Sequence, residues 1–185
     1  MKPGWSFDTS RRAMTVDDVA EVMLVETRAY SFPWSRGNFI DSLSAGHHGQ
    51  LLLVAPKNGA SPSVVSGYFV ALFGVDELHL LNITVAPEWQ SRGLGGLLLD
   101  DAVALGRLRG LGSVWLEVRA SNDRAQALYG RRGFVNRGVR RGYYPAAGRR
   151  EDAVVMSLGI EPSPTVKAAP SSTSSTAKAG QDGLV

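Results

Sequence analysis

Residues 80–96 read Leu80-Leu81-Asn82-Ile83-Thr84-Val85-Ala86-Pro87-Glu88-Trp89-Gln90-Ser91-Arg92-Gly93-Leu94-Gly95-Gly96. An apolar strand ends at Val85 and a turn passes through Pro87 and Glu88. Gln90 to Gly95 then opens into LLLDDAVALGRLRG, which has the pattern of a helix. Strand, glycine-bearing loop and helix N-terminus in that order make an anion site. The first N–H groups of a helix lack internal partners, and the helix dipole favours negative charge beside them. Glycine lets a phosphate approach the backbone, and Arg92 adds a positive fork. A P-loop would need Lys-Ser or Lys-Thr after the glycines. A dinucleotide fingerprint would need a third glycine where this chain has Leu98.

The pattern that remains is Gln-x-x-Gly-x-Gly, preceded by Asn-Ile-Thr-Val-Ala-Pro. It resembles the acetyl-coenzyme A site of the GNAT superfamily of N-acetyltransferases. Further motifs follow in order: LEVRASN from Leu116, ALY from Ala127, RRGYYP from Arg140 and REDAVVMSL from Arg150, with SFPWS from Ser31 in the N-terminal half. Together they resemble the RimI group of that superfamily, the ribosomal-protein-alanine N-acetyltransferases, from about Thr9 to Leu158. The resemblance implies a mixed α/β fold, a partly antiparallel sheet flanked by helices, with its parallel strands splayed around the cofactor. It also implies direct acetyl transfer from acetyl-coenzyme A to a protein α-amine, the N-terminal alanine of small-subunit ribosomal protein eighteen. The ribosome is then a further candidate partner, and no role with DNA is expected.

The 185 residues suit one domain, assigned to 1–158, plus a tail, 159–185, rich in Pro, Ser, Thr and Ala. Such a tail buries too little apolar area to offset its ordering entropy and is expected to be disordered. There is no cysteine, which excludes a disulfide scaffold, a zinc-thiolate site and a cysteine acyl-enzyme. No apolar run approaches the roughly 18 residues of a membrane span. The first residues lack the apolar core of a signal peptide, so a cytoplasmic protein is expected. Net charge is +3, and seven arginines fall between Arg131 and Arg150 with no acidic residue among them. That window fits RNA, an acidic protein, coenzyme A phosphates or a plain solvated surface.

Thr15 with Asp18 resembles a capping box for a first helix, with Val16, Val19, Ala20, Met23 and Leu24 as its apolar stripe. Ser35 can cap a second helix that turns Phe39, Ile40 and Leu43 inward. Strands are expected at 50–55, 64–73, 75–85 and 113–118, with a loop at 56–63 containing Asn58-Gly59. Helices are expected at about 94–109 and from the cap Asn122 to near Gly133. A final antiparallel pair is expected at 134–143 and 152–158.

Acetyl transfer needs the thioester held and polarised, the ammonium deprotonated and the thiolate protonated. The resemblance implies that Ile83, Thr84 and Val85 contact the acetyl and pantetheine end. It gives the pyrophosphate to Ser91, Arg92, Gly93, Leu94, Gly95 and Gly96, and a cofactor contact to Asn122, which is equally explained as an N-cap. Glu117 is the candidate base, because a lone carboxylate in an apolar strand is costly unless paired or functional. Its structural alternative is an ion pair with Arg119 or Arg92. By the same resemblance Tyr129 of the ALY motif is the candidate acid, and its alternative is a half-buried core tyrosine. Glu77, with Asp76 beside it, is the reserve base, set back by a position near the expected sheet edge. Phe32, Trp34, Arg141, Tyr143 and Tyr144 are candidate peptide-binding residues by resemblance, or ordinary surface and core aromatics. His47, His48 and His79 do not form His-Glu-x-x-His, so no metal is expected, and no Gly-x-Ser-x-Gly elbow occurs. Two other readings remain: acetylation of a lysine or small amine, and an RNA-binding module without catalysis.

Overall fold

The computed structural model describes residues 7–57 and 62–161. The expected Asn58-Gly59 turn and the tail beyond Glu161 lie outside them. Seven strands form one sheet in the order β1-β2-β3-β4-β5-β7-β6. They are β1 Phe7–Ala13, β2 His48–Pro56, β3 Val64–Phe73, β4 Glu77–Val85, β5 Ser113–Arg119, β6 Val135–Pro145 and β7 Arg150–Gly159. The helices are α1 Val19–Ala29, α2 Arg36–Ser44, α3 Leu94–Leu108 and α4 Asp123–Arg131. All neighbouring strands pair antiparallel except β4 and β5. The fold is the mixed, partly antiparallel α/β sheet flanked by helices that the sequence suggests.

Helices cover both faces, and strand alternation sorts the side chains between them. Tyr68 and Val70 of β3 pack with Val19, Val22, Val25 and Phe39 of α1 and α2. Their neighbours Phe69 and Ala71 pack on the other face with Leu94, Leu98, Leu99 and Ala102 of α3. A strand buried on both faces reads as the continuous apolar run seen at 64–73.

The feature that makes a site is the β4–β5 pair. These parallel strands are in register from Glu77/Ser113 to Leu80/Leu116 and no further. β4 continues to Val85 along β3, and β5 continues to Arg119 along β7. At the divergence β4 carries an extra residue. Val70 pairs Asn82 and Ala71 pairs Leu80, so Leu81 is bulged. A bulge bends its strand and increases its twist, and a wedge opens between the two strand ends.

Three expectations need correction. The stripe of α1 is Val19, Val22, Val25 and Glu26, whereas Leu24 is 64% exposed and Val16 41%. A short 3-10 turn, Val16–Asp18, precedes α1 and rotates the helical phase. β1 was not expected, because its Asp, Ser and Arg residues hide the strand pattern. It is an edge strand whose Arg11 and Arg12 pair with Asp101 (2.9 Å) and Asp18 (2.7 Å). Finally, the core extends past residue 158. Gly159 closes β7, and Ile160 is buried with its N–H on the Gly112 carbonyl at 2.9 Å.

Gly67 of β3 pairs with Val85 where α3 presses on the sheet. A Cβ there would stand 2.6 Å from the Thr84 carbonyl oxygen and 3.0 Å from Leu98 Cδ1. The obstacle is backbone, so relief would have to move β4 itself. Gly67→Ala should therefore cost about 1–3 kcal/mol, as overpacking does. A lowered urea midpoint would register it, and an unchanged midpoint would show that β4 yields there.

Candidate active site

On one side of the wedge, the loop after β4 meets α3. Gly93 has φ +82° and ends the loop with a turn that a side chain disfavours, so α3 starts at Leu94. Ser91, with φ 61°, is the single non-glycine residue of positive φ among the described residues. Alternating backbone of this kind gathers N–H groups into an anion-binding concavity. The cleft in front of it has a volume of about 560 Å³ and is lined by Ile83, Thr84, Val85, Gln90, Ser91, Gly93, Gly95, Gly96 and, from α4, Arg124, Leu128 and Arg131. Arg124 donates to Ser91 Oγ at 3.0 Å and to Gln90 Oε1 at 3.3 Å. It thereby sets a guanidinium at the rim of the loop.

On the other side lies a second cavity of about 360 Å³. Its walls include Phe32 and Trp34 from the α1–α2 connection, Asn82, Glu117, Arg119, Tyr144 and the buried Glu26. Tyr30, Ile83, Asn122, Ala125 and Tyr129 border both cavities, so the seam between them falls at these five residues. Tyr129 is 6% exposed and packs on Phe134 at 5.9 Å. Burial, reinforced by nearby Tyr30 and Tyr144, pushes its phenol well above the usual range. It is therefore protonated at neutral pH.

Glu117 projects from β5 with a side chain 14% exposed, and Arg140 Nη2 is 3.3 Å from its Oε1. The ion pair suggested with Arg119 or Arg92 is replaced by this one. Arg119 is engaged with Glu151 at 2.9 Å, with the Pro145 carbonyl at 3.0 Å and with the Tyr144 ring at 4.6 Å. Tyr144 donates to the Glu117 carbonyl at 2.9 Å, fixing the strand that carries the carboxylate.

The acceptor cavity rests on a buried carboxylate. Glu26 is 1% exposed. Its Oε1 accepts the Trp34 N–H at 2.7 Å, and its Oε2 accepts the Tyr68 hydroxyl. Burial raises the Glu26 carboxyl above its usual range, opposed by these hydrogen bonds and one from Asn82. Asn82 Oδ1 also accepts from Thr84 Oγ1 at 2.8 Å. Tyr30 closes the chain with its hydroxyl 3.0 Å from Thr84 Oγ1.

The family model described as Acetyltransferase (GNAT) family matches residues 19–134. The chain belongs to that family. It is similar to the [ribosomal protein bS18]-alanine N-acetyltransferases of Escherichia coli strain K12 and Salmonella typhimurium. The first is 37% identical over 150 residues, covering 80% of this chain and 95% of the relative. The second is 37% identical over 147 residues with the same coverage. The crystal structure of the Escherichia coli ribosomal-protein-S18-alanine N-acetyltransferase superposes with a TM-score of 0.74 at 34% identity, covering 84% of this chain and 96% of that one.

The GNAT wedge gathers most, though not all, of the residues singled out in the sequence. Ile83, Thr84, Val85, Ser91, Gly93, Gly95, Gly96, Asn122 and Tyr129 line the first cleft. Phe32, Trp34, Glu117 and Tyr144 line the second. Asn122 also caps α4, accepting the Ala125 N–H at 3.1 Å. Arg92 does not reach the loop's concave side. Its guanidinium lies over the Trp89 ring at 5.1 Å and borders a separate depression. Leu94 is core, 1% exposed, and offers the site only backbone. Arg141 lines neither cavity, and Tyr143 stands outside, edge-on to Tyr144 at 5.0 Å. Glu77 begins β4 at the end remote from the wedge, 2.8 Å from His79 Nε2, and β4 is a central strand. The sequence reading had not singled out Glu26, Tyr30, Arg124, Arg131 or Arg140. No spacing rule marks them, because they reach the site from α1 and its C-terminal end, from α4 and from β6, segments far apart in the chain.

The raised Glu26 carboxyl makes the GNAT domain's stability pH-dependent. In the folded state it holds its proton to higher pH than in the unfolded chain, where the pKa is about 4.3. Between those values the native state binds more protons, so this group's contribution falls as pH rises. Glu26→Gln removes the titration and keeps an oxygen for Trp34. Its stability relative to the parent should improve as pH rises from about 4.3 toward neutrality. Urea midpoints measured for both proteins across that interval check this, and parallel profiles would contradict it.

Proposed function

We propose that this protein acetylates the N-terminal α-amine of a protein, with acetyl-coenzyme A as donor and the N-terminal alanine of ribosomal protein bS18 as acceptor. The observation that carries the reading is the seam. A cleft shaped for phosphates and a cavity carrying an acidic side chain meet at Tyr129, in a chain whose relatives bear that activity in their names.

The residues fit a coenzyme A moiety. The loop N–H groups, the α3 N-terminus and Arg124 face one cleft and suit a pyrophosphate. The open end of β4 leads from them to the seam. Acetyl-coenzyme A, when bound, supplies the activated acetyl group as a thioester. Backbone groups of Ile83 to Val85 orient it, and Tyr129 donates a proton to the departing sulfur. Glu117 accepts the proton of the arriving ammonium through water. An α-amine has a pKa near 7.7–8.0, so a carboxylate acceptor suffices to supply free amine at neutral pH. No covalent enzyme intermediate is needed, and both substrates are held together. Phe32, Trp34 and Tyr144 would grip the first residues of the peptide, with flat rings and polar tips suited to the task. The reading takes acetyl-coenzyme A as its co-substrate and invokes no metal. No helix among the described residues is long and apolar enough to cross a membrane, and we place the reaction in the cytoplasm, where its ribosomal substrate is made.

Mass spectrometry with acetyl-coenzyme A and two peptides tests this directly. One carries a free N-terminal alanine and no lysine, the other a blocked N-terminus and one lysine. Acetylation of the first alone is expected, and acetylation of the second alone would sink the α-amine reading. Glu117→Gln and Tyr129→Phe should each lower kcat by about 10²–10⁴-fold, the usual range for lost acid–base catalysis. Acetyl-coenzyme A affinity in both should stay near that of the parent, and parental turnover in either removes that role. Arg124→Ala should instead weaken coenzyme A binding and reduce its salt dependence, with peptide affinity preserved.

A further inference from the structure

Arg140 takes no part in the reaction as proposed, yet it is the ion-pair partner of Glu117. The two ends of that pair differ. The Glu117 side chain is 14% exposed inside the acceptor cavity, and that of Arg140 is 55% exposed on the edge strand β6. The guanidinium thus reaches in from solvent. It also lies over the Tyr143 ring, with Cζ 5.6 Å from the centroid, a contact that does not need Glu117. The other nearby cation, Arg119, is 22% exposed and held by Glu151, the Pro145 carbonyl and the Tyr144 ring. Glu117 therefore has one exchangeable cation and one fixed neighbour.

The remaining titratable groups around the cavity do not compete. Glu26 is occupied by Trp34 and Tyr68. Burial keeps Tyr30, Tyr129 and Tyr144 neutral. Glu151 serves Arg119 and the Ser121 N–H. An entering α-ammonium carries the same charge as the guanidinium and seeks the same carboxylate. Two cations sharing one carboxylate repel, so the arriving ammonium loosens the guanidinium's hold, and Arg140 has the Tyr143 face to rest on. The acetylated product is neutral and offers nothing to Glu117 that would displace the guanidinium.

We propose that Arg140 is an exchangeable counter-ion for Glu117. It closes on the carboxylate when the cavity is empty or holds acetylated product, and the substrate's α-ammonium displaces it onto Tyr143. The enzyme then competes against its own substrate for a small part of the binding energy, and regains it in product release. No bond is made or broken in this exchange. The inference rests on the reading of Glu117 as the group that meets the ammonium.

Calorimetry at saturating coenzyme A, with no acetyl donor present, tests it. The titrants are one peptide with a free N-terminal alanine and the same peptide N-acetylated. Arg140→Gln should bind the free-amine peptide about two- to fivefold tighter than the parent, the range open to a partly exposed ion pair. Its affinity for the acetylated peptide should be unchanged, and added salt should shrink the difference. An unchanged ratio between the two peptides, or equal weakening of both, overturns the proposal and makes Arg140 a general peptide contact or a bystander. Glu117→Gln separates the two levels of argument. Loss of its preference for the free amine is expected. If that preference persists, the ammonium does not sit at Glu117, and it is the catalytic reading that falls.

Discussion

The site depends on one interruption: a parallel strand pair that stops after Leu80 and Leu116 while both strands continue. Backbone groups left without a ladder need other partners. Here side chains from two connections and from β6 and α4 supply them. Tyr30 donates to the Ile83 carbonyl at 3.3 Å and Gln90 to that of Val85 at 3.1 Å. Across the gap, Tyr144 donates to the Glu117 carbonyl at 2.9 Å and Gln126 to that of Arg119 at 3.2 Å. Four carbonyls along the diverging strand ends are therefore satisfied by side chains. Three of these donors, Tyr30, Gln90 and Tyr144, also line one of the two cavities.

The acceptor side rests on a second, costlier device. A carboxylate taken fully out of water is unfavourable unless hydrogen-bonded. Glu26 is fed by a backbone N–H and a phenol, and it joins α1 to β3 and to the start of α2. What this supplies is geometry. The Trp34 N–H is tied to a point that the apolar packing of Val22, Val25 and Phe39 already fixes. The cavity wall inherits the rigidity of the core, although it lies in a connection between helices. The network then runs through Asn82 and Thr84 to Tyr30, so both walls of the acceptor cavity share one set of hydrogen bonds.

Much of the fold was legible in the sequence where one physical signal dominates. β3 reads at its observed ends because a mostly apolar run between Ser63 and Gly74, broken only by Ser66 and Gly67, fits a strand covered on both faces. α3 and α4 read well because Gly93 and Asn122 mark their starts. Failures came where signals conflict. β1 exposes Asp8, Ser10, Arg11 and Arg12 with little apolar between them, as an edge strand can, which erases the alternation. In α1 the 3-10 turn before Val19 shifts the phase, so a stripe counted from Val16 lands on the solvent side at Leu24. Ile160 was lost because a single apolar residue in a polar context carries no period.

The candidate site divides along the same line, and the division has a chemical cause. The anion loop is built from backbone, and a backbone site needs glycine at particular positions, which leaves a local signature. The acceptor cavity is built from side chains on α1, β4, β5, β6 and α4, and nothing local records that they meet. The register of β6 against β7 shifts twice, between Asn136 and Gly138 and again between Arg140 and Tyr144. Each shift re-aims the side chains that follow. A strict alternation counted along β6 therefore cannot say which arginine turns toward Glu117, and the sequence reading favoured Arg141 over Arg140. Arginine adds to the difficulty through its length, since Arg124 and Arg140 reach groups on elements other than their own. The most informative residues for acceptor chemistry are thus those whose partners are set by register and reach, and only the folded arrangement shows them.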